Sequence, residues 1–206
     1  MKAILFLTMK ESNKIIIGIV GEMGSGKSTV ARYIKEKYSA SSYKFSDILR
    51  DILEKLSLPV TRDNLIDLFL VLAPRFGEDV LAGPMKQAVD KDSSSYIVVE
   101  GIRRPADISK LQELPHFYLL GIHSDSKTRF ARIHARQERS DDQEKSYQEF
   151  LEDHKRSTEI YAPEMVENAE YQITNNQTTK ELYREIDSVL ESILKNKENN
   201  SWKPKN

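Results

Sequence analysis

Short apolar runs alternate with longer amphipathic segments along this chain, and the alternation predicts an α/β fold. The clearest run, residues 15–20, is crowded with β-branched side chains and ends at a glycine cluster, which is typical of a buried strand. The five predicted strands comprise residues 15–20, 43–45, 96–100, 117–122 and 171–174. Because helical patterns separate them, we expect a five-stranded parallel sheet with crossover helices on both faces.

Apolar positions spaced three and four residues apart predict the helices. The first helix follows the 15–20 strand and buries Val30, Ala31 and Ile34. The others cover residues 47–56, a segment capped by Thr61 and interrupted at Pro74 and Gly77, and residues 78–89, 125–137, 146–161 and 180–194. No repeat or linker divides this pattern, so we expect one domain over residues 14–194. Residues 1–13 are predicted to be an edge strand or a loose extension, and residues 195–206 a disordered polar tail.

Directly after the first predicted strand, the sequence matches the pattern G-x-x-x-x-G-K-[ST] without a break. Four of the eight glycines fall between positions 18 and 26, where they allow the backbone to fold around an anion with its N–H groups directed at the oxygens. The helix that follows adds its positive end. A chance glycine turn before a core helix is the alternative, but strand, loop and helix together favour a phosphate-binding loop.

Two residues of this loop have distinct expected roles. Lys27 would reach the β- and γ-phosphates of a nucleotide, and the Ser28 hydroxyl would be a ligand of Mg²⁺. We therefore predict that ATP binds along a continuous segment: Gly21, Glu22, Met23, Gly24, Ser25, Gly26, Lys27, Ser28 and Thr29.

Composition and charge narrow the classes of protein to which this chain can belong. A net charge of −1 gives no indication of bulk nucleic-acid binding, and the absence of cysteine excludes disulfides and thiolate metal sites. The four histidines lack metal-ligand spacing. The apolar run Ala3 to Leu7 is too short to span a membrane and lacks a cleavage site, so we expect neither a membrane span nor a signal peptide, and a cytoplasmic location.

Glu100 ends an apolar strand at its carboxyl end, where open α/β sheets bind ligands. In that position we expect it to orient Mg²⁺ or its water; an ordinary carboxylate in solvent is the alternative. Arg103 and Arg104 follow from the same edge of the sheet and could hold the phosphate of an acceptor with forked hydrogen bonds. Asp47 and Arg50 share a helical face just after the second strand, which suits either a substrate contact or a surface ion pair.

Four arginines, Arg129, Arg132, Arg136 and Arg139, recur at intervals of three, four and three and form a basic stripe. Solvated basic stripes are common, but phosphoryl transfer also needs cations around the migrating charge. We interpret residues 137–146 as a mobile loop that closes over the site, with Arg156 as a further candidate.

Four segments besides the phosphate loop make residues 14–194 similar to the nucleoside-monophosphate-kinase-like branch of the P-loop kinases. Within that branch the chain resembles dephospho-CoA kinases and archaeal AAA-type nucleotide kinases. Residues 45–50, Phe-Ser-Asp-Ile-Leu-Arg, resemble the start of the monophosphate-binding helix, and residues 100–104 resemble the family's Asp-Gly-x-x-Arg with glutamate first. Residues 132–136 match the Arg-x-x-x-Arg at the first edge of the lid, and residues 139–142 its returning arginine with paired aspartates.

This resemblance implies a three-layer P-loop fold with a helical acceptor region, residues 46–92, and a short arginine lid. Arg50 and either Arg103 or Arg104 would hold the acceptor phosphate. Arg132 would contact ATP, Asn175 would lie near adenine, and Lys27, Glu100, Arg136 and Arg139 would be catalytic. Besides the glutamate at position 100, three features depart from the family. Arg156 lies farther from the Arg-x-Asp-Asp segment than its adenylate-kinase counterpart, the lid has no metal-binding cysteines, and the acceptor helices carry no base-specific pattern.

The implied reaction is transfer of the γ-phosphoryl group of Mg-ATP to a (deoxy)nucleoside monophosphate by a monomer or homodimer. A dephospho-CoA kinase is the first alternative; its acceptor is a ribose hydroxyl, and Asp47 would then be a candidate base. A P-loop ATPase that acts as a switch or assembly factor is the second.

Overall fold

Five parallel strands form one sheet in the computed structural model, which describes residues 14–136, 146–153 and 160–199 without the side chains of residues 136, 153, 198 and 199. The spatial order is β2-β3-β1-β4-β5. The strands are β1 (Ile15–Gly21), β2 (Ser41–Lys44), β3 (Tyr96–Glu100), β4 (Phe117–His123) and β5 (Tyr171–Thr174). Gly18 pairs with Val99 of β3 on one side and Leu119 of β4 on the other, so β1 lies at the centre of the sheet. The predicted α/β fold and its five parallel strands are confirmed.

Helices cover both faces of the sheet. They are α1 (Lys27–Tyr38), α2 (Phe45–Lys55), α3 (Arg62–Phe76), α4 (Ala82–Lys91), α5 (Pro105–Ile108), α6 (Ser126–Arg136), α7 (Tyr147–Asp153), α8 (Ala162–Glu167) and α9 (Thr179–Asn199), with a 3₁₀ turn at Leu111–Glu113. Successive side chains of a strand point to opposite faces, so Ile17 and Ile19 pack with α1 and α9, while Ile16 and Val20 pack with α2, α4 and α8. The result is three layers, as expected.

The edge strand β2 begins two residues earlier than predicted. Ser41 and Ser42 belong to it, although their composition is typical of a loop, because their hydroxyls have partners on the β3 side: Ser41 bonds Ser94, and Ser42 donates to Glu100. Phe45, predicted as the last strand residue, is instead the first residue of α2 and is buried. Local polar pairing therefore outweighs composition at this edge.

Pro74 does not interrupt α3, contrary to the prediction. The helix continues to Phe76 and ends at Gly77, whose φ of 103° lies in the left-handed region. Pro74 is exposed, so the carbonyl left without a donor by the missing N–H can be hydrated. After Gly77, α4 begins at Ala82 rather than at residue 78.

The carboxyl-terminal third differs most from the predicted pattern. The helix predicted over residues 146–161 is α7, which covers 147–153, followed after the undescribed residues 154–159 by a turn at 160–161. The short α8 was not predicted. Residues 195–199, predicted to be disordered, continue α9, and the Asn196 side chain donates to the Tyr171 hydroxyl at 3.1 Å. Residues 1–13 and 200–206 lie outside the described ranges.

One carboxylate on α9 accepts hydrogen bonds from three side chains of α1. Asp187 accepts hydrogen bonds from the hydroxyls of Tyr33 (2.9 Å) and Tyr38 (2.8 Å) and from Lys37 Nζ (2.7 Å). Burial alone would raise the pKa of Asp187, but these three donors outweigh it, so its pKa lies below the usual value. Because α1 begins at the phosphate loop, this contact fixes the distal end of the helix that supports the loop.

Replacing Asp187 with alanine should lower the free energy of unfolding by about 1–2 kcal/mol at neutral pH, allowing for solvent screening. A lowered folded-state pKa stabilises the protein above the ordinary aspartate pKa of about 3.9, and this stabilisation is lost as the pH falls through the folded-state value. Urea unfolding of both proteins should therefore show a difference at neutral pH that shrinks below about pH 3.

Glu191→Gln removes a charge from the exposed side of the same helix and is the matched control. Its stability should follow that of the wild type at every pH. A pH-independent loss in Asp187→Ala would contradict the ionic part of this account.

Candidate active site

The predicted phosphate loop connects β1 to α1 at the carboxyl edge of the sheet. Gly24 and Gly26 have φ values of 79° and 102°, which side chains rarely adopt, so the loop needs glycine at both positions. A Cβ at Gly21 would come within 2.6 Å of the Ser25 hydroxyl, which is buried and has no hydrogen-bond partner among the described residues. The motif glycines are therefore required by close approach as well as by conformation.

Lys27 curls back over the loop that precedes it. Its Nζ donates to the carbonyl oxygens of Gly21 (2.5 Å) and Glu22 (2.9 Å). Within the described residues no side chain caps α1 at Gly26, so the positive end of this helix is open to an anion. This geometry suits a nucleotide phosphate held by the loop and by the ammonium group of Lys27.

Asn175, at the end of β5, supports the loop from the side. Its Nδ2 donates to the Ser25 carbonyl (2.8 Å), and its Oδ1 accepts from Arg132 (3.1 Å). A Cβ at Gly26 would overlap the same amide nitrogen. Asn175 was predicted to lie near adenine; its side chain is buried and used by the loop, which favours a role in holding the loop in place over direct contact with a base.

Arg129 is a buried support of the loop, not part of an open basic stripe. Its guanidinium forms an ion pair with Glu22 (2.9 Å) and donates to the carbonyls of Met23 (3.2 Å) and Ser124 (3.0 Å). The Glu22 side chain is therefore directed at α6 rather than at the site of the phosphates. The i, i+3, i+4 pattern that suggested a basic face cannot distinguish a buried arginine from a solvated one.

Arg132 is half-buried one turn further along α6. Burial lowers the pKa of its guanidinium from the usual value, and the group stays charged at neutral pH. Arg136 is the last residue of α6, but its side chain is not described, and Arg139, Arg156 and the predicted lid loop lie outside the described residues, apart from residue 146. The stripe thus begins with Arg129, which bonds the loop directly, and Arg132, which bonds the Asn175 side chain that supports the loop.

A cavity of about 400 Å³ opens beside α1 and receives the predicted metal ligands. Ser28, Glu100 and Asp47 all line it. Glu100 Oε1 accepts from the Ser42 hydroxyl (2.9 Å) and lies 3.8 Å from Lys44 Nζ, so β2 orients this carboxylate. The edge of the sheet therefore brings the two proposed magnesium ligands to one space.

The oxygen atoms of Ser28 and Glu100 fit Mg²⁺, which prefers hard oxygen ligands and keeps water and substrate phosphates around it. Among residues 14–136, 146–153 and 160–199, no three His, Asp or Glu side chains form a ready-made metal cluster. A magnesium ion at this edge would thus depend on the nucleotide for much of its coordination.

The described helices include none that is long and apolar enough to span a bilayer.

Sequence reasoning missed Arg32 and Lys35, which line the same cavity. With Ser28 they occupy positions i, i+4 and i+7 of α1, so a search for cations on the helical face of Ser28 would have found them. Both are exposed, and neither has an ion pair or hydrogen-bond partner within the described part of the chain. Their charge is available to an anionic ligand in the cavity.

The two adjacent arginines after β3 differ sharply. Arg104 pairs with Glu78 (2.8 Å) and Asp107 (2.9 Å) and lies over the ring of Phe69, 4.0 Å from its centroid. Arg103 is exposed, and its side chain has no partner among the described residues. Arg104 is thus committed to packing, while Arg103 can receive a ligand.

Asp47 and Arg50 share one face of α2, as predicted. Asp47 Oδ1 lies 3.8 Å from Arg50 Nε, and both side chains are about half exposed. The long, exposed contact is a weak ion pair that a substrate could displace.

Comparison with known proteins identifies relatives that cover most of the chain. The model of the AAA domain family matches residues 20–148, more than half of the sequence. A UPF0200 protein of Pyrococcus horikoshii is 32% identical over 188 residues, which cover 88% of this chain and 99% of the relative. A UPF0200 protein of Methanocaldococcus jannaschii is 26% identical, with 89% and 93% covered.

Solved structures share the fold at low sequence identity. The protein TT1252 of Thermus thermophilus has a TM-score of 0.58 at 18% identity, and the match covers 89% of this chain and 97% of that chain. A gluconokinase of Sinorhizobium meliloti has a TM-score of 0.57 at 17% identity, covering 94% and 100%. A shikimate kinase of Acinetobacter baumannii, bound to shikimate, has a TM-score of 0.54 at 17% identity, covering 90% and 96%. At these identities the likeness shows a P-loop kinase-like fold and no substrate.

Asn175→Ala should weaken nucleotide binding about tenfold, because the loss of its amide leaves the Ser25 carbonyl buried without its donor and frees the loop to move. Asn176→Ala is the matched control, since this amide bonds the turn at residues 124–125 and does not contact the loop. Calorimetric titration with ATP measures both. Equal affinities would show that the Asn175 contact does not shape the loop for binding.

Proposed function

We propose that the chain, which belongs to the AAA domain family and to the UPF0200 family, is a kinase that transfers the γ-phosphoryl group of Mg-ATP to a (deoxy)nucleoside monophosphate. The observation that carries this proposal is the convergence of Ser28, Glu100 and Asp47 on one cavity beside the phosphate loop. Donor and acceptor sides of a transfer reaction would meet there. Structural neighbours named as kinases support transfer over simple hydrolysis.

On the donor side, the loop from Gly21 to Thr29 would bind the ATP phosphates. Lys27 would exchange its loop carbonyl partners for phosphate oxygens, and Ser28 and Glu100 would hold Mg²⁺, Glu100 either directly or through water. When bound there, Mg²⁺ neutralises phosphate charge and aligns the β- and γ-phosphates. Asn175 and Arg132 keep this cradle in shape, so that little reorganisation is needed when charge moves.

On the acceptor side, Arg103 and Arg50 would hold the monophosphate. Both are exposed, and the contact of Arg50 with Asp47 is long enough to be displaced. The engagement of Arg104 by Asp107 and Glu78 supports giving the phosphate contact to Arg103. Within a domain spanning residues 14–194, the acceptor would lie in the helical region of residues 46–92, against the part of α2 whose Asp47 lines the cavity.

Arg136 and Arg139 would stabilise the transferring phosphoryl group from a lid over residues 137–146. Arg136 follows Arg132 by about one helical turn, and α6 starts beside the loop that binds the phosphates. Closure would bring cations to the γ-phosphate and exclude water, which limits hydrolysis. We also propose a cytoplasmic location for this enzyme.

A dephospho-CoA kinase is the second candidate, and the position of Asp47 favours it. Its carboxylate is half exposed and lines the cavity with Ser28 and Glu100, where it could accept a proton from an attacking hydroxyl. A monophosphate acceptor is already ionised and needs no such base. The acceptor, rather than the loop, therefore separates the two candidates.

Product formation from Mg-ATP, with and without each nucleoside monophosphate and dephospho-CoA, tests the proposal directly. We expect one monophosphate to stimulate ADP release strongly and to appear as its diphosphate. A phosphorylated CoA product would select the second candidate. Slow ADP release that ignores every acceptor would contradict both and favour an ATPase switch.

Lys27→Ala should abolish phosphoryl transfer while the apo protein still folds with only a small drop in melting temperature, because the change removes hydrogen bonds to loop carbonyls but no core packing. Lys180→Ala, which removes an exposed lysine at the start of α9, is the control. Product formation and thermal unfolding are measured together. Near-wild-type turnover in Lys27→Ala would refute the loop as the ATP site.

Arg103→Ala should raise the acceptor KM at least about tenfold, through loss of a charge-assisted contact, and leave ATP affinity within about threefold. Arg104→Ala should instead lower the free energy of unfolding by about 2 kcal/mol, because Asp107 loses its ion pair in a buried position. Steady-state kinetics and urea unfolding of both variants give the comparison. A stable Arg104→Ala with impaired acceptor use would reverse the assignment.

A further inference from the structure

Exposed apolar side chains concentrate on one stretch of the chain. Of the eight large apolar residues that are exposed in the described ranges, six lie between residues 56 and 76. Val71 is 70% exposed, the highest value among them. Single exposed apolar residues are common on soluble proteins, but a contiguous patch marks an interaction surface.

Helix α3 carries four of these six residues: Ile66, Leu70, Val71 and Phe76. The helical period of 3.6 residues groups six of its exposed positions into one stripe, which we call the α3 stripe. It consists of Ile66, Asp67, Leu70, Val71, Pro74 and Arg75. The opposite side of α3, with Leu65, Leu68, Phe69 and Leu72, packs against the core. The stripe is thus apolar at its centre and faces away from the molecule.

Two residues of the α3 stripe, Asp67 and Arg75, are charged and lie on the same side of it. Asp67, Val71 and Arg75 follow one another at intervals of four residues, so the two charges lie about 12 Å apart along the helix, too far to pair with each other. Neither Asp67 nor Arg75 has an ion pair or hydrogen-bond partner in the described part of the chain. Asp67 lies one turn before Val71 and Arg75 one turn after it. This arrangement of charges is complementary to that of an identical helix running in the opposite direction.

We infer that the α3 stripe binds a second copy of this chain, with the two α3 helices antiparallel about a two-fold axis at Val71. In a two-fold interface, if residue i of one copy contacts residue j of the other, then residue j of the first copy also contacts residue i of the second. The axis would place Val71 against its symmetry mate, and Asp67 of each copy opposite Arg75 of the other. Leu70 and Pro74 would be removed from water in the same contact.

The interface stands independently of the proposed reaction. No residue of the α3 stripe lines the cavity that contains Ser28 and Glu100, so loss of dimerisation and loss of catalysis can be measured apart. One helix on each side buries a small area, so we expect a dimer with a dissociation constant in the micromolar range.

Analytical ultracentrifugation of the full chain without nucleotide, from about 1 to 100 µM, tests the inference. The wild type should pass from monomer to dimer in this range, and Val71→Glu should raise the dissociation constant more than about tenfold. Ile160→Glu places the same charge on a 49% exposed apolar residue in a turn outside α3, and should change the constant less than about threefold. Circular dichroism at low concentration checks that each variant folds.

Charge exchange tests the antiparallel register. Asp67→Arg should weaken the dimer by placing like charges opposite each other, and the double variant Asp67→Arg, Arg75→Asp should restore it. A wild type that stays monomeric at about 100 µM, or a dimer equally sensitive to Val71→Glu and Ile160→Glu, would overturn the inference. Failure of the double variant to recover would overturn the register.

Discussion

The hydrogen bond from the Asn175 amide to the Ser25 carbonyl is the contact on which the site depends. A loop built to direct its N–H groups at a ligand directs carbonyls inward, and a buried carbonyl without a donor costs about 1–3 kcal/mol. Asn175 supplies that donor at the end of β5, which pairs only with β4 among the described strands. The loop is therefore held by a residue 150 positions later in the chain, directly after β5.

Local sequence patterns were sufficient to predict the central part of the fold and the phosphate loop. β1 and α1 could be predicted because a buried β-branched run and a glycine motif act within a few residues. Ser41 and Pro74 could not be assigned from local rules, because hydroxyl pairing on an edge strand and hydration of an exposed carbonyl depend on position in the folded chain. The extension of α9 over residues 195–199 was missed because a polar composition does not reveal that Asn196 reaches Tyr171.

The arginines of the candidate site also show which features local sequence can predict and which depend on the folded chain. Composition and spacing found Arg103, Arg104, Arg129 and Arg132, but not which of them would be buried. One signal was present: Pro105 and Asp107 follow Arg104, and proline at the first helical position with an acid two residues later is typical of a helix start. The Asp107 carboxylate accepts from the Arg103 and Arg104 backbone N–H groups at 2.9 and 3.0 Å. This arrangement fixes Arg104 inward and leaves the Arg103 side chain in solvent.

Partnered and unpartnered charges therefore have different uses in this protein. Arg129, Arg104 and Asp187 are each held by two or more groups, and each joins separate elements around the sheet. Arg32, Lys35 and Arg103 are exposed and lie on α1 or directly after β3, near the cavity edge of the sheet. A net charge of −1 hides this local excess of cations. A phosphorylated ligand would meet it at the edge of the sheet without displacing the ion pairs that maintain the fold.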